Sequence, residues 1–381
     1  MAWEAAGGVA LLAAAVVALI WANAAPDAYA AFWATELAGH SLSAIVNDGL
    51  MTLFFLVIGL EVKRELAIGE LSDRRAAALP FFAALGGMLL PAGIYLAIAG
   101  ATPASEGWGI PMATDVAFAL AVLAALRSRV PPSLWAFLLG VAVIDDIGAI
   151  IVIAVAYSGG ISGAWLAAAL VALIAFWVLV RMQVRWVAPY VVLGVAAWAF
   201  TALSGIHATI AGVAIGLLIP ATLAGRPPDQ APLARTVHAL HPWSSFAILP
   251  VFALANAGIV FSTGMLDADG AMAAALGVAA GLLIGKSVGI PLGAWIAIRT
   301  GVGRMPTDGS WSQLLGIGLV AGIGFTVSLF ITDLAFDDVA LADAARVGVL
   351  AGSVLAAIAG TLVLLAAGRR RNRATGEVPH P

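Results

Sequence analysis

Four ionisable side chains sit where ionisable side chains are expensive. Asp145 and Asp146 are adjacent in the apolar run from Leu134 to Tyr157, Asp115 follows Pro111-Met112-Ala113-Thr114, and Lys286 follows Leu282-Leu283-Ile284-Gly285. A helix long enough to cross a bilayer carries the aspartate pair near its midplane, where each charged Asp costs roughly 2.5–3.5 kcal/mol. All four charged and unpaired would cost about 10–14 kcal/mol, comparable to the net stability of a typical domain, about 5–15 kcal/mol. They must pair, neutralise or meet water.

Each has a chemical use. Successive helical residues lie about 100° apart, so Asp145 and Asp146 cannot point the same way; one can face a cavity while the other turns to a neighbouring helix. Mutual repulsion and withdrawal from water both favour holding a proton, and the two acids titrate as a coupled pair. A carboxylate that releases its proton near neutral pH then offers oxygen ligands to a hard cation. That is the minimum machinery for exchanging a metal ion against protons. Lys286 can pair with one aspartate and can itself carry a proton. Asp115, placed beside half-helix N-termini, can offset their partial positive charge. The plainer role for the aspartates is a structural buried salt bridge, and for Asp115 and Lys286 dipole compensation and pairing.

These residues need apolar elements to hold them. The chain has 381 residues, 62% hydrophobic and only 10% charged, with a mean hydropathy of +1.05, whereas soluble domains are about a quarter charged. The fold class expected is an all-α polytopic membrane protein in a lipid bilayer. Zero cysteines exclude disulfides, iron–sulfur clusters and Cys-based zinc sites, and no cofactor is expected. The one dense basic run, Arg369-Arg370-Arg371-Asn372-Arg373, reads as a stop-transfer anchor, and no nucleic acid partner is expected. Leu11 to Trp21 with Ala22-Asn23-Ala24 imitates a signal peptide, but its first charged side chain is Glu4 where a cleavable signal has positive charge. It reads as the first membrane helix.

Apolar runs of about 17–25 residues give twelve transmembrane helices, roughly 6–24, 43–66, 77–99, 109–126, 133–157, 161–180, 186–204, 206–221, 236–260, 272–298, 311–332 and 342–367. The even-numbered exits are basic: Lys63, Arg64, Arg74 and Arg75, then Arg127 and Arg129, Arg181 and Arg185, Arg226 and Arg235, Arg299 and Arg304, and the Arg369 run. The odd-numbered exits are acidic, with Arg346 as the exception. By the positive-inside rule both termini are cytoplasmic. The longest polar connection, Gly225 to Arg235, is a short loop, so residues 1–381 form a single transmembrane domain, with 368–381 as a cytoplasmic tail.

Spans four and eleven are interrupted, by Pro111 and by Gly316, Gly318, Gly322 and Gly324. A proline removes a backbone donor, and closely spaced glycines permit unwinding, although small residues also serve close helix packing. Lipid cannot satisfy freed backbone groups, so an unwound segment must be buried in protein or line a watery cavity. Spans three to five and ten to twelve, approximately 77–157 and 272–367, then form inverted three-helix repeats, each with a discontinuous helix in its middle. Such repeats point to a secondary transporter with its site at the midplane.

The segments resemble the NhaA-type sodium/proton antiporters. The likeness runs over Asn47-Asp48-Gly49-Leu50-Met51 and Phe54 to Leu66, Pro111 to Phe118, Ile144-Asp145-Asp146-Ile147-Gly148-Ala149-Ile150 and Gly205-Ile206-His207-Ala208-Thr209. It continues through His238-Ala239-Leu240-His241-Pro242-Trp243, Ala255-Asn256-Ala257-Gly258, Gly285-Lys286 and Gly322 to Phe330. The resemblance implies that helices four and eleven cross near the site. It implies that Asp145 and Asp146 bind Na⁺ or Li⁺ in competition with H⁺, that Thr114 and Asp115 line the assembly, and that Lys286 pairs with Asp145. It further implies electrogenic antiport in a bacterial cytoplasmic (inner) membrane, with more than one H⁺ entering per Na⁺ expelled. The family's pH-regulating cluster falls on Glu61, Arg64, Glu65 and His241, with His238 nearby; the Glu that often precedes the first His is here Val237. Relatives form homodimers through an external β-hairpin before span two, and that connection, including Ala38 to Leu42, is short in this chain.

Other readings differ in what they require. Another cation/proton antiporter or a Na⁺-coupled symporter would share the fold and differ in the ion moved or its direction. An intramembrane aspartyl protease would use Asp115 with Asp145 or Asp146, but that class places its acids in G-x-G-D motifs, whereas here they sit in Met112-Ala113-Thr114-Asp115 and Ile144-Asp145-Asp146. A retinal Schiff base on Lys286 is opposed by twelve spans. The reading is a transporter, not an enzyme.

Overall fold

The computed structural model describes residues 2–127, 129–184, 186–222 and 230–375. Arg185 and Arg226, which entered the charge alternation, lie outside the described residues with residues 223–229 and the tail after 375. The described chain is dominated by helices, as hydrocarbon demands: a helix bonds its own N–H and C=O groups and leaves only side chains to the lipid. Among the described residues eight helices are long and apolar enough to cross a membrane: Ala6–Ala24, Leu42–Ile68, Arg75–Ala99, Pro132–Ala156, Gly163–Arg181, Pro232–Asn256, Ala271–Arg299 and Val339–Arg369. Two helix pairs bent at a short break are long and apolar enough only when taken together, Pro103–Met112 with Val116–Ala125 at 46° and Trp311–Ala321 with Phe325–Ala335 at 48°. The apolar helices Ala188–Leu203 and Thr209–Leu218 are shorter.

Some features depart from the sequence reading. Three of the long helices contain a π-helical stretch, at Ile45–Leu50, Ser244–Ile248 and Gly281–Gly285; such an insertion rotates the residues after it, and π-bulges recur at functional sites. The last helix runs through Thr375, past the expected start of the tail at 368. Among the described residues there is also a β element: Glu36–Leu37 pairs antiparallel with His40–Ser41, turned by Ala38 and Gly39 with φ of 54° and 82°. Two successive positive φ values match the twist of a tight hairpin.

By contacts the chain divides into two units. The first gathers residues up to 12, 73–149 and 259 onward, and so contains both bent pairs. Within it the helices Arg74–Ala99 and Lys286–Arg299 approach backbone to backbone: a Cβ on Gly86 would fall on the Gly289 carbonyl, and one on Gly289 on the Gly86 carbonyl. Small residues permit such contact in membranes. Arg346, the exception to the charge alternation, donates to Asp333 and to Asp343, each at 2.6 Å. Bound to two carboxylates, it adds no net positive charge to that exit.

The second unit comprises 13–72 and 150–258. Helix Met51–Ile68 lies on Thr209–Leu218, where a Cβ on Gly59 would stand 2.6 Å from the Val213 carbonyl oxygen. Asn47 and Asn256 exchange side-chain amide hydrogen bonds at 3.3 and 2.8 Å, satisfying polar groups that lipid could not.

Candidate functional site

The first unit holds both breaks, and the breaks are bonded to each other. Residues 113–115 are extended before helix Val116–Ala125, and residues 322–324 separate Trp311–Ala321 from Phe325–Ala335. The backbone N–H of Asp115 donates to the Ile323 carbonyl at 2.6 Å. Its side chain caps its own helix, Oδ1 accepting from the Phe118 N–H at 3.0 Å, as aspartate at an N-cap does. Oδ2 accepts from the N–H and the hydroxyl of Thr326, at 3.1 and 2.6 Å, in the first turn of the other half-helix.

The carbonyl ends of the first halves are served across the crossing. Ser328 donates its hydroxyl to the Ile110 carbonyl at 2.7 Å, and Thr114 donates to the Ala321 carbonyl at 2.8 Å. Each bent pair therefore bonds the last carbonyls of the other, groups that an ordinary helix end leaves to water. The breaks expected from Pro111 and the four glycines are present, buried in protein as a non-helical segment at membrane depth must be.

Thr114 ties this crossing to the aspartates. Its hydroxyl lies 2.8 Å from Asp145 Oδ2 as well as from the Ala321 carbonyl. A hydroxyl has one proton, so carboxylate and carbonyl compete for it. Lys286 donates to the same Oδ2 at 2.5 Å, the pairing that the resemblance implies. Lys286 begins the helical stretch after the π turn Gly281–Gly285. That turn is packed on two prolines: a Cβ on Gly281 would stand 2.6 Å from Pro111 Cβ, and one on Gly285 2.6 Å from Pro91 Cα.

Asp145 is 1% exposed and Lys286 fully buried. All the donors bound to Asp145 lie on Oδ2; Oδ1 is buried without a hydrogen-bond partner. Asp146, the next residue on the helix, is 7% exposed, so the two carboxylates differ in surroundings as a 100° rotation requires. Among the described residues no three acidic or histidine side chains converge on one point. A cation held here would take Asp145 Oδ1, Asp146 and neutral hydroxyl or carbonyl oxygens, the ligand class of a hard ion.

The second unit carries the residues matched to pH regulation. Glu61, Arg64 and Glu65 lie on helix Met51–Ile68, and His238 and His241 on Pro232–Trp243. Leu60 and Leu233 join these helices, with Ala221, Leu56, Val237 and Leu240 around them. Arg64 reaches Glu65 at 3.7 Å.

Three hydroxyl residues escaped the sequence reading as members of the site. Thr326 and Ser328 stood in the glycine-rich break, where a hydroxyl can replace water at a freed backbone group. Ser353 accepts from the N–H groups of Gly324 and Phe325, both at 3.2 Å; its only signal was a polar residue inside an apolar span.

Known proteins share this sequence over nearly its whole length. A family model described as Na⁺/H⁺ antiporter 1 matches residues 1–364. A protein of Mesorhizobium japonicum named Na(+)/H(+) antiporter NhaA is 49% identical over 370 residues, which cover 96% of this chain and 93% of the relative. One of Pseudomonas syringae pv. syringae named Na(+)/H(+) antiporter NhaA 2 is 48% identical over 367 residues, 95% and 92% of the two chains. One of Erythrobacter litoralis, also named Na(+)/H(+) antiporter NhaA 2, is 47% identical over 372 residues, again 95% and 92%. These relatives are named as transporters, not enzymes.

Proposed function

The chain belongs to the NhaA-type Na⁺/H⁺ antiporter family, and we propose that it expels Na⁺, and Li⁺ in its place, in exchange for H⁺ across a bacterial cytoplasmic membrane. The observation that carries the ion site is the asymmetry of Asp145: Oδ2 is bound by Lys286 and Thr114, and Oδ1 is buried without a hydrogen-bond partner. Cation and protons then compete for the two carboxylates, and alternating access presents them to each side in turn. Asp146 is the ion-facing acid, and the Asp145–Lys286 pair is the second proton-exchanging group. More than one H⁺ enters per Na⁺, which makes the exchange electrogenic. The cycle needs no bound cofactor.

The topology follows the same reading. Counting the two bent pairs and the two shorter helices with the eight long ones gives twelve spans. The inverted repeats are 77–157 and 272–367, and both termini are cytoplasmic. Glu61, Arg64, Glu65, His238 and His241 set the pH response, and the hairpin Glu36–Ser41 is the candidate contact of a homodimer.

The experiment is dequenching of a pH probe in everted membrane vesicles against Na⁺, Li⁺ and K⁺. Na⁺ and Li⁺ are expected to collapse the pH gradient in native vesicles, and Asp145→Asn or Asp146→Asn to abolish the response. Full activity in Asp146→Asn would refute the assignment, and Na⁺ moving protons in its own direction would make the protein a symporter.

A further inference from the structure

Helix Phe325–Ala335 begins in the interior of the protein with a residue that cannot cap it. Gly324 stands at its N-cap and offers no side chain. A helix start leaves four N–H groups unbonded, and here no solvent is at hand to take them. Two oxygens from elsewhere take three of them. Asp115 Oδ2 takes the Thr326 N–H at 3.1 Å, and Ser353 Oγ takes the Gly324 and Phe325 N–H groups, each at 3.2 Å. Ser353 is buried in the apolar helix Val339–Thr375.

The same helix also grips the other end of that segment. Arg346 binds Asp333 at 2.6 Å and is held by Asp343, three residues before it, at 2.6 Å. From residue 324 to 333 and from 353 back to 346 the two chains run antiparallel, about 13 and about 10 Å at 1.5 Å per residue. The last helix thus splints Phe325–Ala335, with the charge cluster at one end and Ser353 at the break.

We infer that Ser353 is a positioning residue for the cation site: its hydroxyl oxygen holds the break of span eleven so that Asp115 and Thr114 meet it in register. Without that oxygen, two N–H groups at the break are left to seek another acceptor, and Asp115 is already at the same helix end. The stretch they belong to also carries the Ile323 carbonyl bonded by the Asp115 N–H and the Ala321 carbonyl bonded by Thr114. Its displacement moves Thr114, whose other partner is Asp145 Oδ2. Ser353 touches no ion; it acts through the break.

The transport readout of this inference rests on the antiport reading, so the test has a second readout that does not. Thr and Val are nearly the same shape and differ in the hydroxyl. In everted vesicles Ser353→Thr is expected to keep the apparent KM for Na⁺ within about twofold, and Ser353→Val to raise it about tenfold, the scale of one lost helix cap. The rate at saturating Na⁺ stays near native in both. On purified protein, amide hydrogen exchange at Gly324 and Phe325 is expected to remain slow in native and Ser353→Thr and to accelerate in Ser353→Val. Equal KM for the Thr and Val variants, or a loss of rate in Ser353→Val at unchanged KM, overturns the positioning role. Equal amide exchange overturns the cap itself. If Ser353→Val does not reach the membrane, Ser353→Cys and Ser353→Ala replace the pair with the same order expected, the sulfur remaining a weak acceptor. Native vesicles that fail to exchange Na⁺ for H⁺ refute the antiport reading alone, and the exchange arm then decides the role of Ser353.

Discussion

Asp115 accepts both the backbone N–H and the hydroxyl of Thr326, at 3.1 and 2.6 Å, across a sequence separation of 211 residues. The same carboxylate caps its own helix through Phe118. One carboxyl group thus faces the N-termini of two half-helices from the two bent pairs. Each N-terminus carries about half a positive charge, so two of them balance one carboxylate. Asp115 is only 2% exposed, and these donors stand where a basic partner would.

The balance is testable by removing half of it. In Asp115→Asn one side-chain oxygen remains, and the amide NH₂ must face an N–H that previously had an acceptor. Asp115→Ala uncaps its own helix start and leaves the Thr326 N–H without its acceptor, while Ser353 still serves Gly324 and Phe325. Each lost cap costs about 1 kcal/mol, and each buried N–H left without an acceptor about 1–3 kcal/mol. Both variants should therefore unfold at lower temperature than native protein in detergent, with Asp115→Glu less affected because it keeps the charge. A thermal midpoint unchanged in Asp115→Ala would show that the capping bonds contribute nothing to stability.

The positions of the two breaks were legible because their cause is local: Pro111 removes a donor just before one, and Gly322 and Gly324 stand in the other, whereas Gly316 and Gly318 lie inside helix Trp311–Ala321 and serve close packing. Asp115 was legible as a dipole partner for the same reason, since it directly precedes an apolar helix. The crossing of the two broken helices came only from the resemblance, since it is tertiary and leaves no periodicity, and the bond from Thr326 to Asp115 had no signal of its own. The π turn Gly281–Gly285 was also invisible, since one extra residue in a helical turn has no compositional mark. The hairpin at Glu36–Ser41 is too short to show an alternating pattern, and Ala38 adopts a positive φ that its residue type does not announce. Arg346 is an exception to the charge alternation in the sequence, and its pairing with Asp333 and Asp343 is tertiary in part and has no mark there.

The π turn gives a prediction that removes no polar group. A Cβ on Gly285 would stand 2.6 Å from Pro91 Cα and 2.9 Å from Pro91 N, closer than real methyl contacts to backbone. Gly285→Ala must push the helix carrying Lys286 off its neighbour, at about 1–3 kcal/mol of overpacking, and Lys286 is the next residue. Lower thermal stability and weaker Na⁺ affinity are expected together. Gly93→Ala is the control: it lies in helix Arg74–Ala99, nothing is within 4 Å of its added Cβ, and alanine favours a helix by about 0.5–1 kcal/mol over glycine. Equal behaviour of the two variants would remove the steric argument.

The ion pair predicts a pH dependence whose sign can be worked out. Lys286 is fully buried and bonded to Asp145 Oδ2. Lys286→Met removes the counter-charge, and breaking a buried pair costs about 3–5 kcal/mol while the remaining partner stays charged. Asp145 escapes that cost by taking a proton, so the folded variant binds protons that the unfolded chain has released. Stability falls with rising pH wherever the folded state holds more protons than the unfolded one. Relative to native protein, Lys286→Met should therefore lose stability as pH rises above the ordinary carboxylate pKa, about 4, and regain it on acidification. Adding Asp145→Asn should abolish the slope. Na⁺ offers a second escape, since a cation at Asp145 stands in for the missing ammonium, and any ligand of the folded state stabilises it by mass action. At the alkaline end Na⁺ should raise the thermal midpoint of Lys286→Met more than that of native protein, while choline at equal ionic strength should not. Equal responses to Na⁺ and choline would separate Asp145 from the cation site and leave Asp146 to bind the ion without it.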